Sequence, residues 1–347
     1  MKKILYLSCH CVLEYDELRI LHDLGYDVFT NDAYHRPRTP VVNRRPPVDI
    51  PDKPDYLKLF YDMCHTNSLN PNVKPEQYNN LLTDEIIDAF DTFIIMHLPR
   101  FVEQNWDKLK AKGKTVIWRT IGQSTPDVEA KMLRYREEGM KIVRYSPKER
   151  ELPHYAGEDT IIRFAKYESD YLPYVGDQNY VMTFGQNVIG RGDHCRYDLI
   201  RNVAKDFNFK LFGPGNAEAP MAYGEVDYST QLLELSKNKA YLYSGTWPAS
   251  YTLNFMEAWM SGIPVAALGT ELASKVGPFP YEVSELIKHG ETGFCSNNIK
   301  ELKECIREVM IDSKLRQRIS ENGKKAASAI FGAESIKPQW KAFIDSI

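Results

Sequence analysis

The sequence predicts an α/β protein of two doubly wound, parallel-sheet domains. Three observations carry this prediction. Apolar runs of strand length alternate with amphipathic helical stretches, in two successive sets between residues 3 and 330. Gly25 and Gly262 each stand between such a helix and the next apolar run, where a helix is commonly closed. The 347 residues are enough for about two domains, each burying its own core.

The first set opens with a buried strand over Lys3–Ser8, a loop over residues 9–15 and a helix over Asp16–Leu24. Asp27–Thr30 is the next strand, which completes a strand–helix–strand unit and requires a parallel pair. Residues 34–56 interrupt the alternation. Pro37, Pro40, Pro46 and Pro47, with Arg36, Arg38, Arg44 and Arg45, exclude a helix or a central strand there. A loop of this length is a solvated insertion or an acceptor-binding loop. Helices are then predicted over Leu81–Phe90, Val102–Lys112 and Asp127–Glu138. Strands are predicted over Thr92–Met96, Lys114–Trp118 and Lys141–Tyr145, with a short one at Ile161–Phe164.

The second set places strands at Tyr180–Phe184, Phe209–Phe212, Ala240–Ser244 and Pro264–Ala267. Its helices are Arg196–Lys205, Tyr228–Asn238, Leu253–Ser261, Ser284–Lys288, Ile299–Met310 and Ser313–Ala329. Domain boundaries are expected at 1–174 and 175–330. The apolar tail at 331–347, with Trp340 and Phe343, is expected to cross back to the first domain. Two open parallel sheets would place a ligand at their carboxyl ends, in a central cleft that the domains face.

Composition narrows the class. Apolar residues make up 43% and charged residues 26%, which excludes disordered, collagenous and coiled-coil chains. No run approaches the roughly 18 apolar residues of a membrane helix. The apolar stretch after Met1-Lys2-Lys3 is shorter than a secretory h-region, so it reads as a first strand and the compartment as cytoplasmic. Lysine and arginine number 25 against 27 acids in residues 1–170, and 19 against 20 in 171–347, so neither half announces a nucleic-acid footprint. Cys9, Cys11, Cys64, Cys195, Cys295 and Cys305 have no zinc-ribbon or CxxC spacing, and Cys9-His10-Cys11 is only half a metal site. No metal site is therefore assigned.

The chemistry concentrates in residues 241–267. An apolar strand ends at Ser244, and a loop of small and hydroxylated residues enters a helix near Thr252. Uncapped N–H groups at that helix start are expected to hold a diphosphate, with Ser250, Tyr251, Thr252 and Leu253 as the candidates, and the helix dipole favours its charge. Glu257, about one turn in, can accept two hydrogen bonds from a ribose diol.

Glu257-Ala258, Gly262 and Pro264-Val265, followed by Glu285 through Gly290, Gly293 and Phe294, resemble the second domain of GT-B glycosyltransferases, specifically the large retaining family four and its relatives. Tyr223-Gly224-Glu225-Val226 resembles that family's glycine turn near the nucleobase. Phe209–Phe212 with Gly213-Pro214-Gly215 resembles its preceding strand and turn. The resemblance covers roughly residues 180–330 and implies two Rossmann-like domains. It also implies a UDP- or GDP-sugar donor, no covalently bound cofactor, no metal, and transfer with retention. On its terms Gly185, Gly213, Gly224 and Val226 line the nucleotide, and Arg191 and Arg196 clamp the diphosphate. Two departures stand out. Ala249 replaces the acid that precedes Glu257 by eight residues in the family and contacts the donor sugar. Gln186 follows Gly185 where the family has arginine.

In the first domain, His97 stands at a strand end where relatives place a histidine facing the donor sugar. Arg119, also at a strand end and followed by Gly122-Gln123, is a candidate for sugar or phosphate. His10 and Glu14 fall in the predicted cleft-facing loop, with Glu14 placed as a general base for an inverting enzyme. The mechanism implied is electrostatic stabilisation of the leaving diphosphate, with closure excluding water. The acceptor is a glycan, a small molecule or DNA, the last as in phage enzymes that glucosylate modified bases. The fold also serves sugar-nucleotide epimerases, and the missing acid at 249 also suits a non-catalytic sugar-nucleotide-binding protein.

Overall fold

The computed structural model describes residues 1–30, 44–46, 50–69, 82–277 and 280–347. These form two compact units. The first comprises the described residues up to Ala165 together with Ile336–Ile347, and the second is Lys166–Ser335.

The first unit holds a six-stranded sheet of β1 (Lys3–Ser8), β2 (Asp27–Phe29), β3 (Thr92–Met96), β4 (Thr115–Arg119), β5 (Lys141–Arg144) and β6 (Thr160–Ile161). All pairings are parallel and the order is β2-β1-β3-β4-β5-β6. The inner strands are buried on both sides, which is why KILYLS and TFIIM read as continuous apolar runs and not as alternations. The chain reverses its direction of winding between β1 and β3. Ser8, Cys9 and His10 therefore share an end of the sheet with Met96 and His97. In Ile336–Ile347, Trp340 is fully buried in this unit, Lys337 pairs with Asp23 at 2.7 Å, and Tyr26 donates to Asp345 at 2.9 Å.

The second unit holds β7 (Gln178–Phe184), β8 (Phe209–Phe212), β9 (Ala222–Gly224), β10 (Asn238–Tyr243), β11 (Val265–Leu268) and β12 (Phe294–Ser296). Again every pairing is parallel, in the order β12-β11-β10-β7-β8-β9. Counted within the unit this is the 3-2-1-4-5-6 order of dinucleotide-binding sheets, with its switch point between β7 and β10. The helix Leu253–Ser261 follows β10 and is closed by Gly262, whose φ of 85° suits the left-handed cap. Its neighbour is the long helix Ser313–Phe331.

The structure departs from the sequence reading in four places. The loop after β1 is only Cys9-His10, because the helix begins at Cys11, with His10 as its N-cap. Glu14, expected in that loop, lies on the helix and is buried, as are Asp16 and Glu17. The edge strands β9 and β12 are three residues long, too short to show a period. A helix at Pro54–Thr66 follows the proline-rich stretch and was not expected. Most of that stretch, including Arg36 and Arg38, lies outside the described residues, as does Leu81.

Candidate functional site

The switch point of the second unit is assembled from the loops after β7 and β10. After β10, Tyr243 leads through Ser244, Gly245 and Thr246 to Trp247, which stacks on His194 at 5.2 Å. Ala249 and Ser250 are buried, and the Ser250 carbonyl accepts from the Glu282 N–H at 2.9 Å. Tyr251 packs its ring on Phe331 at 5.1 Å. Thr252 is the N-cap of Leu253–Ser261, but its hydroxyl donates to the Tyr243 phenol at 3.1 Å and does not cap the helix. The helix start, half-exposed at Thr252 and Leu253, thus presents N–H groups that no side chain caps. Asn254 donates to the Phe184 carbonyl at 2.7 Å, tying this start to the end of β7.

After β7, Gly185 donates its N–H to Phe212 O at 2.9 Å, and its carbonyl accepts from Asn216 Nδ2 at 2.6 Å. Gly213 (φ 123°) packs so closely that a Cβ there would stand 2.2 Å from the Gly185 oxygen. These two glycines lock the β7 and β8 turns together by backbone approach. Gly224 (φ 84°) ends the edge strand β9, accepts from Gly213 N, and is followed by half-buried Val226.

Arg191 and Arg196 differ. Arg191 ends the short helix Val188–Arg191, is half-exposed, and has no ion pair among the described residues. Arg196 is buried and held by Asp198, through Nε and Nη2 at 3.2 Å each, leaving Nη1 buried without a hydrogen-bond partner. Lys275 pairs with Asp193 at 3.3 Å and with Asp198 at 3.4 Å, beside this group.

Glu257 is not a surface acid. It is 3% exposed, with Oε1 at 3.1 Å from Lys166 Nζ and Oε2 accepting from Gln231 Nε2. The sequence reading missed both partners, which lie 91 and 26 residues away with no local signal.

In the first unit, His97 follows β3 with a left-handed backbone (φ 50°) and donates its N–H to Arg119 O at 3.2 Å. Its ring lies 5.6 Å from that of Trp118, and Nδ1 is buried without a hydrogen-bond partner. Burial drives its pKa down to about 4, against the opposing pull of Glu129, so the ring is neutral at neutral pH. His10 stands at the same end of the sheet, its Nδ1 accepting from Leu13 N at 3.4 Å, which requires that nitrogen unprotonated.

Two first-unit candidates are corrected. Arg119 is fully buried. It gives Nε and Nη2 to Glu17 Oε1 at 2.9 and 2.6 Å and Nη1 to Ile162 O at 2.7 Å, with its plane 4.3 Å from the Phe164 ring. It is a core cation and not a ligand for sugar or phosphate. Glu14 is equally buried, on the helix and not in a loop, and accepts from Thr30 Oγ1 at 2.6 Å. It does not stand where a general base in an open loop would.

Among the described residues no group of three or more His, Cys, Asp or Glu side chains could hold a metal ion, and no helix is long and apolar enough to cross a membrane.

No family model matches the chain. An uncharacterized glycosyltransferase of Methanocaldococcus jannaschii is 26% identical over 154 residues, 43% of this chain and 43% of that protein. The match thus spans less than half of the curated relative. HepE of Anabaena, solved with UDP and glucose, superposes with a TM-score of 0.64 at 13% identity over the whole of both chains. A glycosyltransferase of Rickettsia africae gives 0.62 at 11% identity, covering 99% of this chain and 97% of that one. TarM gives 0.58 at 14% identity, over 72% of this chain and 54% of TarM. At such identities the likeness is one of fold, and the fold is that of the GT-B glycosyltransferases.

Proposed function

We propose that this protein is a glycosyltransferase. It takes a sugar from a UDP- or GDP-sugar held by the second unit and passes it to an acceptor hydroxyl. The observation that carries the reading is the switch point between β7 and β10. There the uncapped start of Leu253–Ser261 and the unpaired guanidinium of Arg191 stand at adjoining strand ends, a combination suited to a diphosphate. HepE, which shares the fold, was solved with UDP and with UDP-glucose, which favours a uridine donor.

In this reading the helix start and Arg191 stabilise charge growing on the departing diphosphate, so no metal is required. Glu257 receives the ribose diol. His97, neutral and with an unsatisfied Nδ1, meets a sugar hydroxyl. The outcome at the anomeric carbon is retention, following the family-four resemblance of the second unit.

The test is incubation with UDP-, GDP-, ADP- and TDP-sugars, followed by measurement of free nucleoside diphosphate with and without a chelator. Release from one donor, unchanged by chelator, is expected. Acceptor screens over glycans, small molecules and DNA follow with that donor, and NMR of the product reads the anomeric configuration. Conversion of the sugar while it stays attached to its nucleotide would replace the transferase by an epimerase. Tight nucleotide binding with no turnover under any acceptor would leave a binding protein.

A further inference from the structure

The amino ends of the second sheet carry a surface that the donor reading leaves unused. β10, β7 and β8 are parallel neighbours, so Lys239, Asn179 and the Phe207-Asn208 segment before β8 stand at one edge of the unit. A groove of about 510 Å³ opens there, lined by Phe207, Met310 and Ile311 and by the cations Lys205 and Arg307, among others. Ile311 ends the helix Ile299–Ile311 and is 84% exposed. Lys303, Arg307 and Ile311 follow one another at four-residue steps along that helix, which puts them on one face. Tyr174, next to the 59%-exposed Val175, donates to the Lys239 carbonyl at 3.2 Å and so extends the apolar part of the surface.

The cations here are short of acids. Lys205 is exposed, and its side chain makes no hydrogen bond or ion pair among the described residues. Lys239 Nζ has neutral partners, Asn179 Oδ1 at 3.1 Å and Met310 O at 2.9 Å. Arg316 Nη1 donates to Val309 O at 2.7 Å and has no ion pair among the described residues. Burial, and next the like charge of Arg316, holds the Lys239 ammonium below its usual pKa. Arg307 and Lys303 share Asp206, at 2.9 and 3.1 Å, and Asp206 is the one acid among the groove's lining residues. Glu308 is exposed on the helix but does not line the groove. Asp312, beyond Ile311, accepts from the N–H groups of Lys314 and Leu315.

We propose that this end of the second unit docks on an anionic phospholipid bilayer, with Ile311 entering the headgroup boundary and Lys205, Lys239, Arg307 and Arg316 facing lipid phosphates. The two parts of the surface select this occupant together. Gathered cations without matching acids attract an anionic surface. An isolated small anion would satisfy them, but it would leave the exposed isoleucine at the helix tip without a use, whereas a bilayer takes both. The switch point lies at the carboxyl ends of the same strands, so docking at the amino ends leaves it clear of the lipid.

The test is co-sedimentation of the full chain with vesicles of phosphatidylcholine, alone or with about 30% phosphatidylglycerol. Binding to the anionic vesicles is expected to be at least about tenfold tighter, and to fall by about tenfold or more as salt rises from about 50 to 500 mM. Lys205→Glu and Ile311→Ser change exposed side chains, and circular dichroism with thermal unfolding checks that both stay folded. Lys205→Glu is expected to weaken anionic binding by about tenfold and to flatten its salt dependence. Ile311→Ser is expected to weaken it by about three- to fivefold and to leave the salt dependence unchanged. A parent that binds both kinds of vesicle alike, or neither, overturns the proposal. Anionic binding that both variants keep in full overturns it too, because the contact then lies elsewhere on the chain. Soluble glycerol 1-phosphate separates a free anion from a bilayer. If calorimetry shows it binding the parent and not Lys205→Glu, and it strips the parent from vesicles, the occupant is a soluble anion and the bilayer is overturned. A parent that is dimeric by light scattering and monomeric as Ile311→Ser makes the surface an interface between copies, with the same consequence. None of these outcomes bears on the donor reading, which nucleoside-diphosphate release tests separately.

Discussion

At the carboxyl ends of the first sheet, Arg119 gives its donors to Glu17 and the Ile162 carbonyl, whereas after the corresponding ends of the second sheet Arg191 has no ion pair among the described residues. The same contrast runs through both units. In the first, Arg144 grips Glu129 through two bonds of 2.7 Å, Thr120 donates to Glu149, and Thr30 donates to Glu14. These buried acids are all met inside the unit. The second unit also pairs buried charges, Arg196 with Asp198 and Lys166 with Glu257, but among the described residues Arg191 has no ion pair and the helix start at Leu253 has no side-chain cap. A charge at a strand end is therefore not evidence of a ligand. What decides is whether the fold brings an opposite charge to it.

The strongest way to break this comparison is to remove Arg119. Arg119→Met leaves Glu17 buried and unpaired and is expected to cost about 3–5 kcal/mol of stability, read by denaturant unfolding. The double variant Arg119→Met/Glu17→Met is expected to recover most of that loss, because two buried charges vanish together. If Arg119→Met instead folds normally and loses nucleotide binding or turnover, the assignment of Arg119 to the core is wrong.

The next effect is a pH dependence with two opposed limbs. His97 has a folded pKa near 4 against an ordinary 6.5, so the unfolded chain takes up its proton first. Stability is then lost as pH falls from about 6.5 toward 4. Burial raises Glu149 to about 7 from an ordinary 4.5, although Arg144 opposes the shift. Here the folded chain holds the proton longer. Its contribution is complete below about 4.5 and is lost as pH rises through about 7. Each limb is worth on the order of 3 kcal/mol over its full span. Between pH 4.5 and 6.5 the two oppose each other. His97→Asn, which tolerates the left-handed backbone, is expected to flatten the acid limb. Glu149→Gln is expected to abolish the loss near neutrality. Unfolding curves across pH 4–8 that are superimposable for parent and both variants would remove this account.

Glu257 sharpens the comparison from the other side, because it is both buried and placed at the proposed site. Glu257→Gln is the informative change, since it keeps the size of the side chain, whereas Glu257→Ala would also open a cavity beside buried Lys166. Binding of the donor nucleotide is expected to weaken by about 1.5–3 kcal/mol. An unchanged dissociation constant would move the ribose elsewhere.

Much of this was legible in the sequence, and the limits have physical causes. Lys3–Ser8, Thr92–Met96, Phe209–Phe212 and Leu253–Ser261 occur at the bounds their patterns predict, because buried strands and a glycine-closed helix write strong local signals. The spacing of Leu18, Leu21 and Leu24 starts the first helix at Asp16, five residues late, and only the folded neighbours Thr30, Tyr6 and Arg119 show how Glu14 and Glu17 are buried. The same reason hid the fate of Arg119, whose acid lies 102 residues away. The loop and helix around Thr252 were legible because the anion site proposed there would be made of backbone N–H groups, which follow from local structure alone. Lys166 carried no signal, since neither periodicity nor motif marks a lysine whose carboxylate contact lies 91 residues away.

The smallest expected effect tests the free end of the comparison. Arg191 is half-exposed and its side chain makes no hydrogen bond or ion pair among the described residues, so Arg191→Ala should alter stability by less than about 0.5 kcal/mol. An exposed guanidinium facing a diphosphate contributes through a screened Coulomb attraction and one or two charge-assisted hydrogen bonds. The expected loss of nucleoside-diphosphate affinity is about 1–1.5 kcal/mol, roughly five- to tenfold. Because the attraction is between charges, the parent's affinity should fall as salt rises from about 50 to 500 mM, and the variant's should fall less. The corresponding nucleoside, which lacks phosphate, should bind parent and variant alike. A variant that loses nucleoside as well would show that Arg191 shapes the loop after β7 and does not touch the phosphates. A variant that loses nothing would leave the helix start at Leu253 to hold the diphosphate without it.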